Sequence, residues 1–185
     1  MNRNVYATHF CDEFHFVPGL YSEGYLDTLL NIAIERKSDI IIPGHDHELA
    51  LLSKDIDKFH AHGIEVLVSE PKVISISRDK YLWYEYFHER GCSIVPTYKV
   101  KDFKDSSIFP AIIKPAGGSA SQGIYIVHGI DELEEMSDED IIQPYLFPTK
   151  DDKNYETIVR AVNNRKFAQM SEISIQLIFG KDAKF

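Results

Sequence analysis

The chain of 185 residues has little cysteine and no apolar run close to the ~20 residues that cross a bilayer. Its two cysteines, Cys11 and Cys92, form no metal-binding or redox motif. Such usage fits a reducing compartment and gives no basis for a disulfide. The N-terminus also lacks the apolar region of a signal peptide. We therefore expect a cytoplasmic protein without a membrane segment.

Basic residues are in the minority, since 20 Lys and Arg face 29 Asp and Glu, for a net charge of -9. This balance argues against a protein that coats nucleic acid, because such proteins usually present a basic surface. It does not exclude binding of a small polyanion, because a few lysines and backbone N–H groups can hold phosphates locally.

The first part of the chain alternates strand and helix patterns. Apolar residues recur at helical spacing from Ser22 to Arg36, and a second helical stripe runs through Leu49, Leu52, Ile56 and Phe59. Gly63 stands where a left-handed helix end is expected. The predicted strands are NVYATHF (4–10), DIIIPG (39–44) and IEVLVS (64–69). This order predicts an open α/β sheet with parallel strands.

Hairpin patterns replace this alternation in the second part. A helix is predicted over residues 77–91, with Ser77 as its N-cap and Gly91 at its end. Further predictions are a hairpin over 109–127, a short acidic helix near 131–140, a strand at IIQPYL (141–146), and antiparallel strands at NYETIVRAV (154–162) and FAQMSEISIQLIF (167–179). We predict two domains, 1–75 and 76–185.

The hairpin FPAIIKPAGGSASQGIYIV (109–127) places Lys114 where its first strand ends. The loop that follows carries Gly117, Gly118 and Gly123, with the polar residues Ser119, Ser121 and Gln122 between the glycines. Glycine lets a loop fold its N–H donors over phosphate oxygens. The loop is neither a Walker loop nor a dinucleotide fingerprint. By itself, the stretch fits an ordinary hairpin with a solvated lysine equally well.

Three further features are candidates for a site. Lys80 lies early on a predicted helix, where it could also be solvated, and the apolar strand IIQPYL could border a flat ligand. Glu156 is predicted on a strand, where it could instead pair with Arg160.

The run His45–Glu48 looks metal-like, but adjacent residues point in different directions. Asp46 is better interpreted as a helix cap, with Glu48 in the first turn.

These features occur in an order that resembles the ATP-grasp superfamily, most closely its carbamoyl-phosphate-synthase-large-chain-like branch of carboxylate–amine ligases. The resemblance runs from Val5 to Val162, and YLDTLLNIAIERKSDIIIPGHDHELALL (25–52) looks like the domain that precedes the ATP-grasp domain. It implies an α/β fold. A small open, Rossmann-like parallel sheet would be followed by part of an ATP-grasp α+β domain with antiparallel hairpins.

The resemblance also implies roles for residues. Lys80 and Lys114 would contact phosphates, and the loop Gly117–Gly123 would be a lid over the triphosphate. Glu156 would receive the ribose hydroxyls. Backbone groups would hold adenine near Gln143, Tyr145 and Leu146. Gln143 stands where family members commonly have an acidic residue.

The implied function is ATP binding in a ligase that activates a carboxylate as an acyl phosphate for attack by an amine. Magnesium would accompany ATP, but its usual acidic and asparagine ligands, including an E-x-N-like motif, are not found here, so we assign no metal ligand and no catalytic residue. We expect a truncated, split or shortened ligase. The alternatives are a nucleotide-binding module without turnover, and an assembly module that pairs with a completing chain or forms a homo-oligomer.

Overall fold

The computed structural model describes residues 6–118, 122–168, 170 and 173. Two units are distinguished along the chain, Met1–Arg78 and Asp79–Phe185. The predicted division into domains 1–75 and 76–185 stays a prediction. None of the described helices is long and apolar enough to cross a membrane.

The first unit is built around two short parallel strands. Ile41 of one strand lies opposite Val66 of the other, which confirms the predicted parallel arrangement. Gly63 precedes the second strand with φ of +73°, a left-handed conformation that favours glycine. The elements are α1 (Tyr25–Glu35), β1 (Ile40–Ile41), α2 (Asp46–Lys54), α3 (Ile56–His60), β2 (Glu65–Val66) and α4 (Pro71–Arg78).

Three local predictions for the first unit are wrong. Residues Tyr6–His9, predicted as part of a strand, form a 3-10 helix. The predicted second helix is divided into α2 and α3, because Asp55 leaves the helical conformation at φ of −114° and ψ of 20°. The cap of α2 is His45 rather than Asp46, since the Nδ1 atom of His45 accepts a hydrogen bond from the backbone N–H of His47 at 3.2 Å.

Helices cover one face of the two-stranded sheet. The buried core on this side consists of Leu30, Ala33, Leu52, Phe59, Ile64 and Val66. Alternation along a strand sends neighbouring residues to the opposite face. There, Ile40, Ile42 and Leu67 are exposed, the last two by 68% and 59%.

One partly buried polar contact joins α1 to α2. The hydroxyl of Tyr25 donates a hydrogen bond to Glu48, and the second carboxylate oxygen of Glu48 accepts from the backbone N–H of Gly44 at 3.0 Å. Burial, followed by the hydrogen bond to Glu48, raises the pKa of Tyr25 far above its ordinary value. Glu48 thus does more than favour the start of α2.

This contact predicts a loss of stability at high pH. Tyr25 keeps its proton in the folded state, whereas the unfolded chain releases it above about pH 10, so the free energy of unfolding should fall as pH rises beyond that value. Tyr25→Phe should flatten this decline when urea unfolding is measured between neutral and alkaline pH. Tyr21→Phe removes an exposed hydroxyl and is the control. An equal alkaline decline in wild type and Tyr25→Phe would contradict the prediction.

The second unit contains a four-stranded antiparallel sheet, built from β3 (Tyr98–Lys99), β4 (Ala111–Pro115), β5 (Tyr125–Val127) and β6 (Asp140–Pro144). The order of the strands in the sheet is β3-β6-β4-β5. Ile112 of β4 lies between Ile126 of β5 and Gln143 of β6. The predicted hairpin and the strand at 141–146 are both confirmed. The remaining elements are α5 (Lys80–His88) and α6 (Tyr155–Asn163), with 3-10 helices at Val100–Asp102, Ser106–Ile108 and Ile130–Glu135.

The sheet of the second unit has a hydrophobic core on each face. One core contains Val100, Phe103, Ala111, Ile113, Val127, Leu133 and Ile142. The other is smaller, and in it α6 packs Ile158 and Val162 against Ile126 of β5. Ile112 and Tyr145 border this second core. The acidic segment predicted near 131–140 contributes its 3-10 helix to the first core through Leu133.

The predicted N-cap of the helix in this unit also needs correction. Ser77 is not a cap, because it lies inside α4; the cap of α5 is Asp79, whose side chain accepts from the N–H groups of Tyr81 and Leu82 at 2.8 and 3.0 Å. Gly91, with φ of +72°, lies just after α5 as expected.

The segment NYETIVRAV is a helix rather than a strand. Tyr155, Ile158, Val159 and Val162 stand at positions i, i+3, i+4 and i+7, which is a helical stripe, whereas in a strand they would be divided between the two faces. Packing of that stripe on Ile126 favours the helix. The strand predicted over 167–179 lies largely outside the described residues.

Two substitutions in α6 distinguish helix from strand. In a strand, Arg160 would share the buried face of Ile158, whereas in the helix it is exposed and Ile158 is 2% exposed. Ile158→Ala should therefore lower the free energy of unfolding by about 2–4 kcal/mol, and Arg160→Ala should change it by less than about 0.5 kcal/mol. Urea denaturation of both variants measures this. Similar losses for the two would contradict the helical assignment.

Candidate functional site

A cleft of about 500 Å³ lies on the face of the second unit's sheet that carries Ile112. Its size is in the usual range for small-molecule sites. The cleft combines cationic, glycine-rich and apolar walls. The lining residues are Lys80, Val95, Ile112, Lys114, Pro115, Gly117, Gly118, Gln122, Ile124, Gln143, Pro144, Tyr145, Leu146 and Phe167.

Strand alternation places Lys114 in the cleft. Ile112 and Lys114 are two residues apart on β4, so their side chains share a face, while Ile113 between them is fully buried in the opposite core. Lys114 lies opposite Ile141 of β6 and is half-buried. A charged side chain therefore enters the cleft from a strand whose position is set by neighbours on both sides.

Lys80 lines the same cleft from the first residue of α5. Its Nζ atom donates to the carbonyl oxygens of Pro115 at 2.9 Å, Ala116 at 3.3 Å and Gly118 at 3.3 Å. Burial lowers the pKa of Lys80, and the nearby charge of Asp79 opposes this effect. The structure therefore brings both predicted lysines together, with one of them bonded to the start of the glycine-rich loop.

A chain of hydrogen bonds fixes Gln143. Its Nε2 atom donates to Oγ1 of Thr97 at 2.6 Å, and the Thr97 hydroxyl donates to the carbonyl of Val95 at 3.0 Å. Thr97 is 2% exposed, so these groups have little access to water. Because the hydroxyl hydrogen of Thr97 points to Val95, the amide nitrogen of Gln143 is the group that faces Thr97.

The segment after β6 forms the apolar end of the cleft. The backbone N–H of Tyr145 donates to the carbonyl of Pro110 at 3.0 Å, and its hydroxyl donates to the carbonyl of Ala168 at 3.2 Å. Leu146 is 65% exposed. Within the described ranges, the backbone N–H of Leu146 makes no hydrogen bond.

Two of the predicted site residues that the structure describes, Glu156 and Gly123, do not line the cleft. Glu156 is exposed in the first turn of α6. Gly123 instead closes the hairpin: its φ is +67°, and a Cβ atom there would lie 3.0 Å from Cγ of Pro115. Ser119 and Ser121 lie outside the described residues.

Several lining residues were not predicted as site residues. Ile124 could have been found, because it shares an alternating face with Ile126 in the hairpin. Phe167 and Val95 come from segments without regular structure, and no local pattern marks them. In the described part of the chain, no group of three or more His, Cys, Asp or Glu side chains is arranged to hold a metal ion.

Comparison with known sequences gives one family match and one curated relative. Residues 1–67 match the family described as PylC-like, N-terminal domain. A phosphoribosylamine–glycine ligase from Fusobacterium nucleatum is 24% identical over 115 residues, covering 59% of this chain and 26% of the ligase. The chain therefore spans about a quarter of that relative's length.

Solved structures are similar over a larger share of the chain. Biotin carboxylase of Campylobacter jejuni, in a β-γ-ATP complex, has a TM-score of 0.57 at 16% identity, covering 79% of this chain and 38% of that chain. The biotin carboxylase domain of Hydrogenobacter thermophilus 2-oxoglutarate carboxylase, with MgADP, ADP and bicarbonate, has a TM-score of 0.53 at 22% identity, covering 76% and 36%.

These matches confirm the predicted resemblance at the level of fold. The chain shares the fold of these two biotin carboxylase structures over the part that it spans, with a small parallel α/β unit followed along the chain by an antiparallel sheet. The carbamoyl-phosphate-synthase-like branch stays a prediction.

The buried hydroxyl of Thr97 should contribute to stability through Gln143. Thr97→Val keeps the shape but leaves the amide nitrogen of Gln143 without this acceptor, which should lower the free energy of unfolding by about 1–3 kcal/mol. Thr97→Ser retains the hydroxyl and should restore much of the loss that the hydrogen bond accounts for. Urea denaturation compares the three proteins. An unchanged value for Thr97→Val would show that the hydrogen bond does not matter to folding.

Proposed function

We propose that the cleft of the second unit is the nucleotide-binding site of an ATP-grasp ligase. The observation that carries the proposal is the meeting of Lys80, Lys114 and the start of the glycine-rich loop in one cleft whose other end is apolar. Two solved neighbours of this fold are described with bound ATP analogue or ADP, which supports the same assignment.

The cationic end suits a polyphosphate. Lys114 and Lys80 supply positive charge, and a phosphate oxygen accepts charge-assisted hydrogen bonds more strongly than a neutral acceptor does. Gly117 and Gly118 expose backbone close to both lysines. Backbone N–H groups on glycine can approach phosphate oxygens closely.

The other end suits a flat apolar base. Ile112 and Phe167 provide apolar surface on which a purine can pack. The predicted backbone contact to adenine is best assigned to Leu146, because the N–H of Tyr145 is already bonded to Pro110. Gln143 is fixed beside this segment by Thr97.

The roles predicted for ribose and magnesium receive less support. Glu156 lies on α6 outside the cleft lining, so the geometry gives no argument for its contact with ribose. The described residues also do not fit a magnesium site, because they offer no cluster of acidic or histidine ligands. MgADP is bound by one structural neighbour, and magnesium remains part of the proposal for the whole ligase.

In the reaction we propose for the whole ligase, the γ-phosphoryl group of ATP passes to a carboxylate, giving ADP and an acyl phosphate. An amine then attacks the acyl carbon, and phosphate leaves. The described part of this chain contributes nucleotide binding, and no catalytic residue is assigned to it. The acid and the amine are not identified, and the cytoplasmic location stays an expectation.

Calorimetric titration with ATP and Mg²⁺ tests the binding site. We expect binding to the wild-type chain and a loss of affinity of about tenfold or more in Lys114→Met, because a charged donor to phosphate is removed. Lys104→Met is the matched control, since it removes an exposed lysine that does not line the cleft. Equal affinities for the two variants would contradict the role of Lys114.

A second candidate function is an assembly module, which the exposed Ile40, Ile42 and Leu67 on the uncovered sheet face favour. Large exposed apolar patches often mark interaction sites. Mass measurement by light scattering, together with the titration, separates the two functions. Self-association without any ATP binding would favour assembly, whereas ATP binding by a monomeric chain would favour the nucleotide site.

A further inference from the structure

The side chain of Lys80 is surrounded by a group of backbone carbonyls, here called the carbonyl cage: those of Pro115, Ala116 and Gly118. The Nζ atom lies 2.9, 3.3 and 3.3 Å from these oxygens, in that order. An ammonium group has three N–H donors and no acceptor. The three carbonyls therefore match its full donor capacity.

The backbone of Lys80 contacts the same segment. Its N–H donates to the carbonyl of Ala116 at 2.9 Å. The start of α5 is fixed in turn by Asp79, which accepts hydrogen bonds from the next two backbone N–H groups. One residue with a fixed backbone thus holds the end of β4 by both its main chain and its side chain.

The segment that is held has few other hydrogen bonds. Apart from the bonds of β4, the described part of the chain shows one backbone hydrogen bond to residues 116–118, the one from Lys80 to Ala116. Gly117 and Gly118 are exposed, and Gly118 has φ of +100°. A short exposed segment with glycine in a left-handed conformation needs outside contacts to keep one geometry.

We propose that Lys80 is a positioning residue that holds the carbonyl cage and exchanges it for phosphate when a nucleoside polyphosphate binds. The holding follows from the contacts alone, whereas the exchange rests on the proposed function. Because the three carbonyls occupy all three donors of the ammonium, a phosphate oxygen can bond to Lys80 when at least one carbonyl is released. Nucleotide binding is thereby coupled to the geometry of the segment that begins the glycine-rich loop.

The direction of the exchange follows from the charges involved. A phosphate oxygen is an anionic acceptor and a carbonyl is a neutral one, so the ammonium forms the stronger bond with phosphate. Burial disfavours the charged form of Lys80, so the ammonium gains more from a hydrogen bond to an anionic acceptor than an exposed lysine does. Lys114 lines the same cleft from β4 and adds a second positive charge near a bound phosphate.

The holding is tested in the nucleotide-free protein by NMR. In wild type, the ammonium hydrogens of Lys80 should exchange with water more slowly than those of the exposed Lys150, because three carbonyls accept them. Lys80→Met should accelerate exchange of the residue 80 amide by about tenfold and lower the heteronuclear NOE of Gly117 and Gly118. Lys150→Met is the matched control.

If Lys80→Met does not fold, the wild-type measurement alone still tests the holding. Fast exchange of the amide of Ile113, in the buried part of β4, would report that the variant is not folded. An ammonium of Lys80 that exchanges as fast as that of Lys150 would overturn the holding. So would an unchanged residue 80 amide in a folded Lys80→Met protein.

The exchange is tested by adding ATP and Mg²⁺ to the same samples. We expect the Lys80 ammonium signal and the carbonyl ¹³C signals of Pro115, Ala116 or Gly118 to shift, with the carbonyl response lost in Lys80→Met. The methyl signal of Ile112, which lines the cleft, reports binding independently. If the methyl signal of Ile112 shifts while the Lys80 and carbonyl signals stay unchanged, the exchange is overturned and the proposed function stands. No shift of Ile112 and no heat of binding overturns the proposed function itself.

Discussion

The central strand β4 is the element on which both the core and the cleft of the second unit depend. It is hydrogen-bonded to β5 on one side and β6 on the other, so its residues have neighbours along both edges. Ala111 and Ile113 are fully buried on one face, while Ile112 and Lys114 line the cleft on the other. A shift of register by one residue would exchange these two sets and would bury a charge.

Much of this arrangement could be predicted, because local patterns determine it. The hairpin around the glycine-rich loop follows from two apolar strands separated by glycines, and the parallel strands of the first unit follow from short apolar runs between helices. The proximity of Lys80 to Lys114 could not be predicted from local patterns. It was expected because the order of motifs resembles a known superfamily, and no spacing between residues 80 and 114 implies it.

The failed predictions have different physical causes, and one of them is that packing partners distant in sequence decide between helix and strand. Residues 154–162 fit both a strand and a helix, and contact of Ile158 and Val162 with Ile126 selects the helix. The cap of α5 was missed because Asp79 and Ser77 are both good capping residues. The carbonyl cage was missed because backbone acceptors leave no trace in a sequence.

The bond between Gln143 and Thr97 limits which side chains can occupy position 143. The hydroxyl hydrogen of Thr97 is committed to the carbonyl of Val95, so its oxygen can face a donor and not a second acceptor. A glutamate at 143 would set two acceptors against each other unless Thr97 turned away from Val95. Amide and acid are nearly identical in shape, yet at this site they are not equivalent, because an acid would need the Thr97 hydroxyl to give up its bond to Val95 and donate to the carboxylate instead.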